Sequence, residues 1–382
     1  MFSVAKIPQL NVLFDGLTII NLTFYYKFRN FLYLCIVKLI TKPKDIFNMC
    51  LFANNLKPFV AKKDIAVVKV IYGDNGKFMT PVYWQEVTLN EELKPSGRFR
   101  DFLNDTVTGN QVRRGVIHSY LTERASLTDK ERQVKAIIKK GTRFYVSINC
   151  KEIASESLFI TDEDITSDEI NETKEYILSE IKSNSQIVDG IRVGDIYLSN
   201  KTFVHIEDYE FSKINSTPVG VVGWINNNTL YIISLKELYC PWNEKTIAMT
   251  VNGRGLCNLY SDTDGITNTS NLREHYEQCI KDFPSLEYCI NYVTEGTKKG
   301  DWHMASPYEI RHILMNKALI NMSLGKINGE LIADDSAYWT SAEGRRNFVW
   351  ACFSDNGQLT DLFSIIANGY ARPCLAIQLK ES

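Results

Sequence analysis

D-W-H-M-A-S-P-Y-E-I at Asp301–Ile310, Y-W-T-S-A-E at Tyr338–Glu343 and N-G-Y-A-R-P-C-L-A-I at Asn368–Ile377 decide how this chain is read. Ser306-Pro307 is a helix start. Serine caps the first turn, proline sits where its missing N–H costs nothing, and Glu309 falls in the same turn. Ile310, Ile313, Leu314, Ala318 and Leu319 then recur on one stripe, which predicts a helix over Tyr308–Met322 closed by Gly325 and Gly329. The aromatic runs after it, including one around Trp350, read as strands. Large aromatics bury ~150–250 Å² each, so Trp302, Tyr338, Trp339 and Trp350 are read as structural core rather than as an exposed ligand surface. Arg372-Pro373 joins that core, with the arginine paired to a buried acid, Glu343 or Glu309.

Upstream of this stretch the pattern is short strands. V-G-D-I-Y-L-S-N-K-T-F-V reads as a hairpin turning at Asn200, and P-V-G-V-V-G-W-I-N-N-N-T-L-Y-I-I-S-L as another turning at Asn226–Asn228. Asparagine tolerates the left-handed conformation that such turns need. Gly253–Asp264 is loop-like, Thr269–Phe283 reads as a helix, and Tyr288–Tyr292 as a second short one. Between Asp162 and Ser185, Thr166 or Ser167 caps a helix whose apolar stripe is Ile170, Tyr176, Ile177 and Ile181. Residues 49–160 form a β-rich module. I-A-V-V-K-V-I at Ile65–Ile71 turns at Gly73–Gly76 into K-F-M-T-P-V-Y-W, and Val116–Tyr120 and Arg143–Ile148 are further strands. The charge-rich Thr128–Ile138 is read as a short helix between them.

The first 48 residues are read apart from the rest. Leu17–Ile40 is apolar but interrupted by Lys27, Arg29, Asn30 and Lys38. A charge at mid-span costs about 2.5–3.5 kcal/mol on insertion scales, which argues against a spanning helix and against membrane association. A signal peptide would place its charges first and a small-residue cleavage site after the apolar run. Met49 is therefore the expected natural start, with residues 1–48 an upstream extension. Four segments follow: 1–48, a 49–160 module, a 161–185 helical connector and a 186–382 domain.

Taken in order, W-H-M-A-S-P-Y-E-I, Y-W-T-S-A-E and Y-A-R-P-C-L-A-I resemble the C-type-lectin-like domains of gut bacteria and their phages. The usual form there is W-x-L-P-S-x-x-E-L, then Y-W-S-S-T-E, then V-R-P-V. I-Y-L-S-N-K-T-F-V followed by P-V-G-V-V resembles that domain's first half, so the resemblance runs over about residues 188–379. Met304-Ala305, Thr340, Ala342 and Cys374 depart from the pattern. The implied fold class is α+β: a C-terminal C-type-lectin-like domain preceded by a small β-rich domain and a helical connector. Members include surface and fimbrial-type proteins and phage tail or receptor-binding proteins, which implies a cell-surface or virion location. The formylglycine-generating enzymes share the broader fold.

In such domains the segments after Y-W-S-S-T-E and before V-R-P-V carry the ligand face. The corresponding residues here are Arg345, Arg346, Asn347 and Phe348, and Asp361, Leu362, Ser364 and Ile365. Exposed arginine beside aromatic and aliphatic groups is the chemistry of interface hot spots. The competing reading places Phe363 and Ile365 in the core with a solvated arginine pair. A non-enzymatic protein contacting a protein or glycan ligand is the expectation, with a structural subunit of a virion or fimbria, packing as a homo-oligomer, as the alternative.

Composition narrows the classes further. The chain has 382 residues, 45% of them hydrophobic and 23% charged, with a formal net charge of −2, so no global field favours nucleic acid. Nine cysteines lack any C-x-x-C and read as buried thiols of a reducing compartment, with Cys279–Cys289 and Cys352–Cys374 as candidate disulfides. No cofactor or metal is expected. Neither E-P-N nor Q-P-D occurs, and Asp262, Asp264, Asp334 and Asp335 read as solvated loop acids. None of the five histidines lies in H-E-x-x-H, and His303 with Glu309 reads as a structural polar contact. A copper-thiolate oxidase of the formylglycine-generating type remains a minor alternative. It would need Cys352 and Cys374 on neighbouring strands.

Overall fold

Thr166 begins the helix that the sequence signals most locally. In the computed structural model its side chain accepts the Glu169 N–H, and the Glu169 carboxylate accepts the Thr166 N–H in return. This reciprocal capping box opens α1, Ser167–Ser183, and Ile170, Ile177 and Ile181 are its buried residues. The structure describes residues 51–52, 57–74, 77–80, 85–95, 111–112, 116–123, 127–210, 214–245, 264–344 and 347–379. The reading of residues 1–48 lies outside them. Residues 49–382 form one compact unit. Among the described residues, no helix is long and apolar enough to cross a membrane.

Ahead of α1 lies a ten-stranded sheet. Its main path uses β1 (Phe59–Val60), β2 (Ile65–Asp74), β3 (Glu91–Leu93), β4 (Ile117–Tyr120), β5 (Glu131–Ile138), β6 (Arg143–Val146), β7 (Glu152–Ser155) and β8 (Leu158–Ile160). Their order is β1-β6-β7-β4-β2-β5-β8-β3. The expected hairpin after β2 is present, with Lys77–Met79 pairing back on Tyr72–Asp74. The expected helix at Thr128–Ile138 is not: β5 is a strand paired with β2 over eight residues. Val134, Ala136 and Ile138 are buried while their neighbours are not, a period of two that the surrounding charges obscured.

Behind α1, after a two-stranded ladder of Ile187–Val188 with Ile191–Arg192, two larger sheets follow. The first uses β9 (Ile196–Leu198), β10 (Phe203–Val204), β11 (Pro218–Asn226), β12 (Thr229–Ser234), β14 (His303–Met304) and β19 (Pro373–Gln378), in the order β10-β9-β11-β12-β19-β14. The second uses β13 (Leu238–Pro241), β15 (Ala337–Glu343), β16 (Phe348–Phe353), β17 (Leu359–Ser364) and β18 (Asn368–Ala371), in the order β13-β18-β15-β16-β17. Asn227 makes the left-handed turn between β11 and β12 as read, whereas the positive φ in the first hairpin falls on Lys201 rather than Asn200.

Helices α2 (Gly265–His275), α3 (Pro284–Asn291), α4 (Pro307–Met315) and α5 (Lys317–Lys326) pack around these sheets. The helix expected over Thr269–Phe283 ends at His275, and a 3₁₀ segment, Glu277–Asp282, follows. The helix expected over Tyr308–Met322 is divided at Asn316. Its side-chain amide donates to His312 O and Gly223 O, each at 3.0 Å, which anchors the break to β11.

One hydrophobic cluster runs from Ile65 and Phe144 through Ile177 and Ile181 of α1 to Val222, Ile232, Trp302 and Leu319. The inner strands of the five-stranded sheet are buried on both faces: all seven residues of β15 are buried, and four of the six in β16. Tyr338, Trp350 and Cys352 face a core shared with Val221, Ile233 and the α4 residues Ile310, Ile313 and Leu314. Trp339, Val349 and Ala351 face another with Trp242, Phe283 and Leu286. Alternating side chains of one strand thus pin both cores.

Candidate functional site

The tryptophans are fixed by hydrogen bonds as well as packing. Trp339 Nε1 donates to Cys240 O at 2.8 Å, Trp242 Nε1 to Thr340 O at 3.0 Å, and Trp302 Nε1 to Thr297 Oγ1 at 3.2 Å. Trp302, Tyr338, Trp339, Trp350, Arg372 and Pro373 are all buried, as read.

Arg372 has a buried acid, but neither of the two expected. Its Nη1 donates to Glu237 Oε2 at 2.7 Å, and Nε and Nη2 donate to Ser234 O at 3.1 and 3.0 Å. Tyr338 donates its hydroxyl to the same Glu237 oxygen at 2.8 Å. Burial pushes the Glu237 carboxyl above its ordinary range, with Arg372 and Tyr338 pulling the other way. Glu309 is occupied elsewhere. It accepts the Ser306 N–H at 2.8 Å and the Gly265 N–H at 3.1 Å, and lies 3.2 Å from His303 Nε2. A Cβ at Gly265 would come within 2.3 Å of that carboxylate, so only glycine fits there. Glu343 accepts from the Tyr276 hydroxyl at 2.8 Å.

At one end of the five-stranded sheet, two turns meet. Gly344 donates its N–H to Phe348 O at 2.9 Å, closing the β15–β16 connection. Ile365, in the β17–β18 turn, donates to Asn347 O at 3.1 Å, and Asn243 donates to Ile365 O at 2.9 Å. Phe348 pairs across from Ser364. The turns are therefore tied to each other by main-chain bonds, and they leave Phe348 40% and Ile366 52% exposed.

The predicted ligand residues divide accordingly. Asn347 and Phe348 are exposed, and Asp361 and Ser364 are half-buried on β17. Ile365 corrects the sequence reading: it is fully buried in the Trp339 core, so the exposed aliphatic group of this turn is Ile366. Phe363 also packs inward, edge-on to Trp339 with ring centroids 5.8 Å apart. Arg345, Arg346 and the side chain of Leu362 lie outside the described residues.

The six described cysteines are free thiols, as read, and neither candidate disulfide is formed. Cys279 is exposed while Cys289 is buried. Cys352 lies in the five-stranded sheet and Cys374 in the six-stranded one, a correction to their expected place on neighbouring strands. Burial pushes the Cys240 and Cys352 thiols up to about 12 and raises Cys289 and Cys374 as well. Among the described residues no group of three or more His, Cys, Asp or Glu could hold a metal ion. Two of the loop acids have other tasks. Asp264 caps α2, and Asp334 bridges Lys317 at 2.6 Å and Lys151 at 2.9 Å, tying the first sheet to the α5 side.

One feature was not singled out in the sequence. Tyr239 on β13, Tyr370 on β18 and Tyr338 on β15 lie in register across three strands. Tyr370 stacks on Tyr338 at 5.4 Å and 22°, and Tyr239 leans on Tyr370 at 4.9 Å and 48°. The alternation L-Y-C-P at Leu238–Pro241 was its only local signal.

No protein-family model and no curated protein matches the chain. Among solved structures it is similar to the crystal structure of a fimbrial protein from Bacteroides ovatus. Identity is 12% and the TM-score 0.42, over 69% of this chain and 64% of that one, so the chain spans less than two thirds of the fimbrial protein's length.

Proposed function

We propose that the C-terminal part, from about residue 186, is a non-enzymatic binding module of C-type-lectin-like architecture. Its β15–β16 and β17–β18 turns contact a protein or glycan on a cell or virion surface. One observation carries this reading: Phe348 and Ile366 are exposed on two turns that are bonded to each other and rooted in a doubly buried sheet. An apolar pair left in water beside buried strands contributes little to folding, and main-chain bonding between the segments that carry it lowers the entropy lost on binding. Loops positioned by a rigid scaffold are the common place for recognition.

A glycan and surface-protein array probed with the full chain tests the reading. Phe348→Ala combined with Ile366→Ser is expected to abolish capture while leaving the thermal melting temperature within a few degrees. Capture that survives both substitutions would refute the site. A defined oligomer in light scattering, dissociated by the same substitutions without any array signal, would make the chain a structural subunit instead.

A further inference from the structure

We propose that Tyr239 and Tyr370, at the free edge of the five-stranded sheet, form a second binding site, a stacking surface for a neutral sugar ring. The inference does not rest on the rim formed by Phe348 and Ile366.

Tyr239 is 59% exposed, on a strand that among the described residues borders only β18. Its ring contributes little to the core, yet it is held in place. Tyr370 supports it from one side, and Tyr338, fully buried and hydrogen-bonded to Glu237, supports Tyr370 in turn. The result is a fixed aromatic face in water. An aromatic face offers apolar contact to the C–H face of a pyranose, and the phenol hydroxyl offers a hydrogen bond to its hydroxyls.

Other occupants fit less well. The strand is four residues long and ends in Pro241, which has no N–H to donate, so it is a poor template for an added strand. A stable protein interface buries about 800 Å² per partner. Two tyrosines with the neighbouring exposed Leu238 present a few hundred at most, since one aromatic side chain buries ~150–250 Å². The charges beside the strand are already paired, Lys236 with Glu330 at 3.3 Å and Glu237 with Arg372 at 2.7 Å. A polyanion such as nucleic acid draws its affinity from released counterions at free cations, and a charged sugar needs an opposite charge. The small footprint and compensated charge select a small, neutral, hydroxylated ligand.

Affinity electrophoresis and calorimetry of the full chain test this with neutral hexasaccharides as probes: cello-, malto-, manno-, xylo- and chitohexaose. At least one is expected to bind the wild type. Tyr239→Ala should weaken that binding tenfold or more, and Tyr239→Phe should retain most of it. Tyr239 is too exposed for its removal to unfold the chain, and a melting curve checks this. The proposal is overturned if none of the five binds, or if Tyr239→Ala binds as the wild type does. It is equally overturned if only Phe348→Ala abolishes binding, a result that would leave the rim reading intact. Self-association lost in Tyr239→Ala, with no sugar bound, would assign the face to a second copy.

Discussion

Arg372→Met is expected to destabilise the folded unit by about 3–5 kcal/mol, the usual penalty for stranding one member of a buried ion pair. The substitution keeps the apolar stem but removes every donor. Glu237 then loses its charged partner, and Ser234 O and Glu330 O lose the guanidinium that bridges them. Tyr338 alone remains on the carboxylate. Because burial already pushes Glu237 upward, loss of the arginine should raise it further, so the folded variant binds a proton more readily than its unfolded chain and should be relatively more stable at the lower pH. Urea denaturation at pH 5 and pH 7 measures both effects. Equal midpoints for wild type and variant at both pH values would show that the network is not what joins β12, β15 and the Glu330 loop.

Lys69→Met should act in the opposite direction. Lys69 sits in the middle of β2, buried, and its amine donates to His118 O at 2.5 Å. Burial lowers its pKa from 10.5 to about 8. Its folded value lies below its unfolded one, so the unfolded chain binds more protons between these two values. Wild-type stability therefore rises as pH climbs from about 8 to 10.5, and below pH 8 the full penalty is present. At 1.36 kcal/mol per pKa unit the penalty is roughly 3 kcal/mol. Methionine keeps the volume without the charge but leaves His118 O without this donor, so Lys69→Met should be more stable at pH 7 by less than that amount. The wild-type gain between pH 8 and 10.5 should be absent from it. A pH series of chemical denaturation on both proteins decides the matter, and parallel curves would show the amine to be solvated.

These two sites also show what the sequence could disclose. Capping is local, so Thr166 with Glu169 and Ser306 with Glu309 could be read from adjacent letters. The core role of Trp302, Trp339 and Trp350 followed from size alone. The partner of Arg372 could not be read, because Glu237 lies 135 residues away and is brought close only by the crossing of β13 and β18. Thr128–Ile138 misled because Asp129–Arg132 and Lys135 crowd charge onto it, and charge-rich segments resemble exposed helices until a pairing strand supplies the period of two. In the candidate rim, Phe348 is exposed, as its position after β15 suggested. Ile365 and Ile366 are adjacent aliphatic residues in a turn, and only the turn's geometry decides which one points to water. The tyrosine row needs three strands in register, one of them parallel, so no single segment announces it.

The central claim is that a tryptophan-pinned body, packed on both faces of the five-stranded sheet, holds its rim still. Native-state hydrogen exchange measures this directly. The account predicts that the amides of Trp339, Trp350, Ile232 and Leu375 open only with global unfolding and share one free energy, because the two sheets share their cores. If the five-stranded sheet exchanges through a separate, lower-energy opening than the six-stranded one, the scaffold is not a single body and the reading of its rim fails.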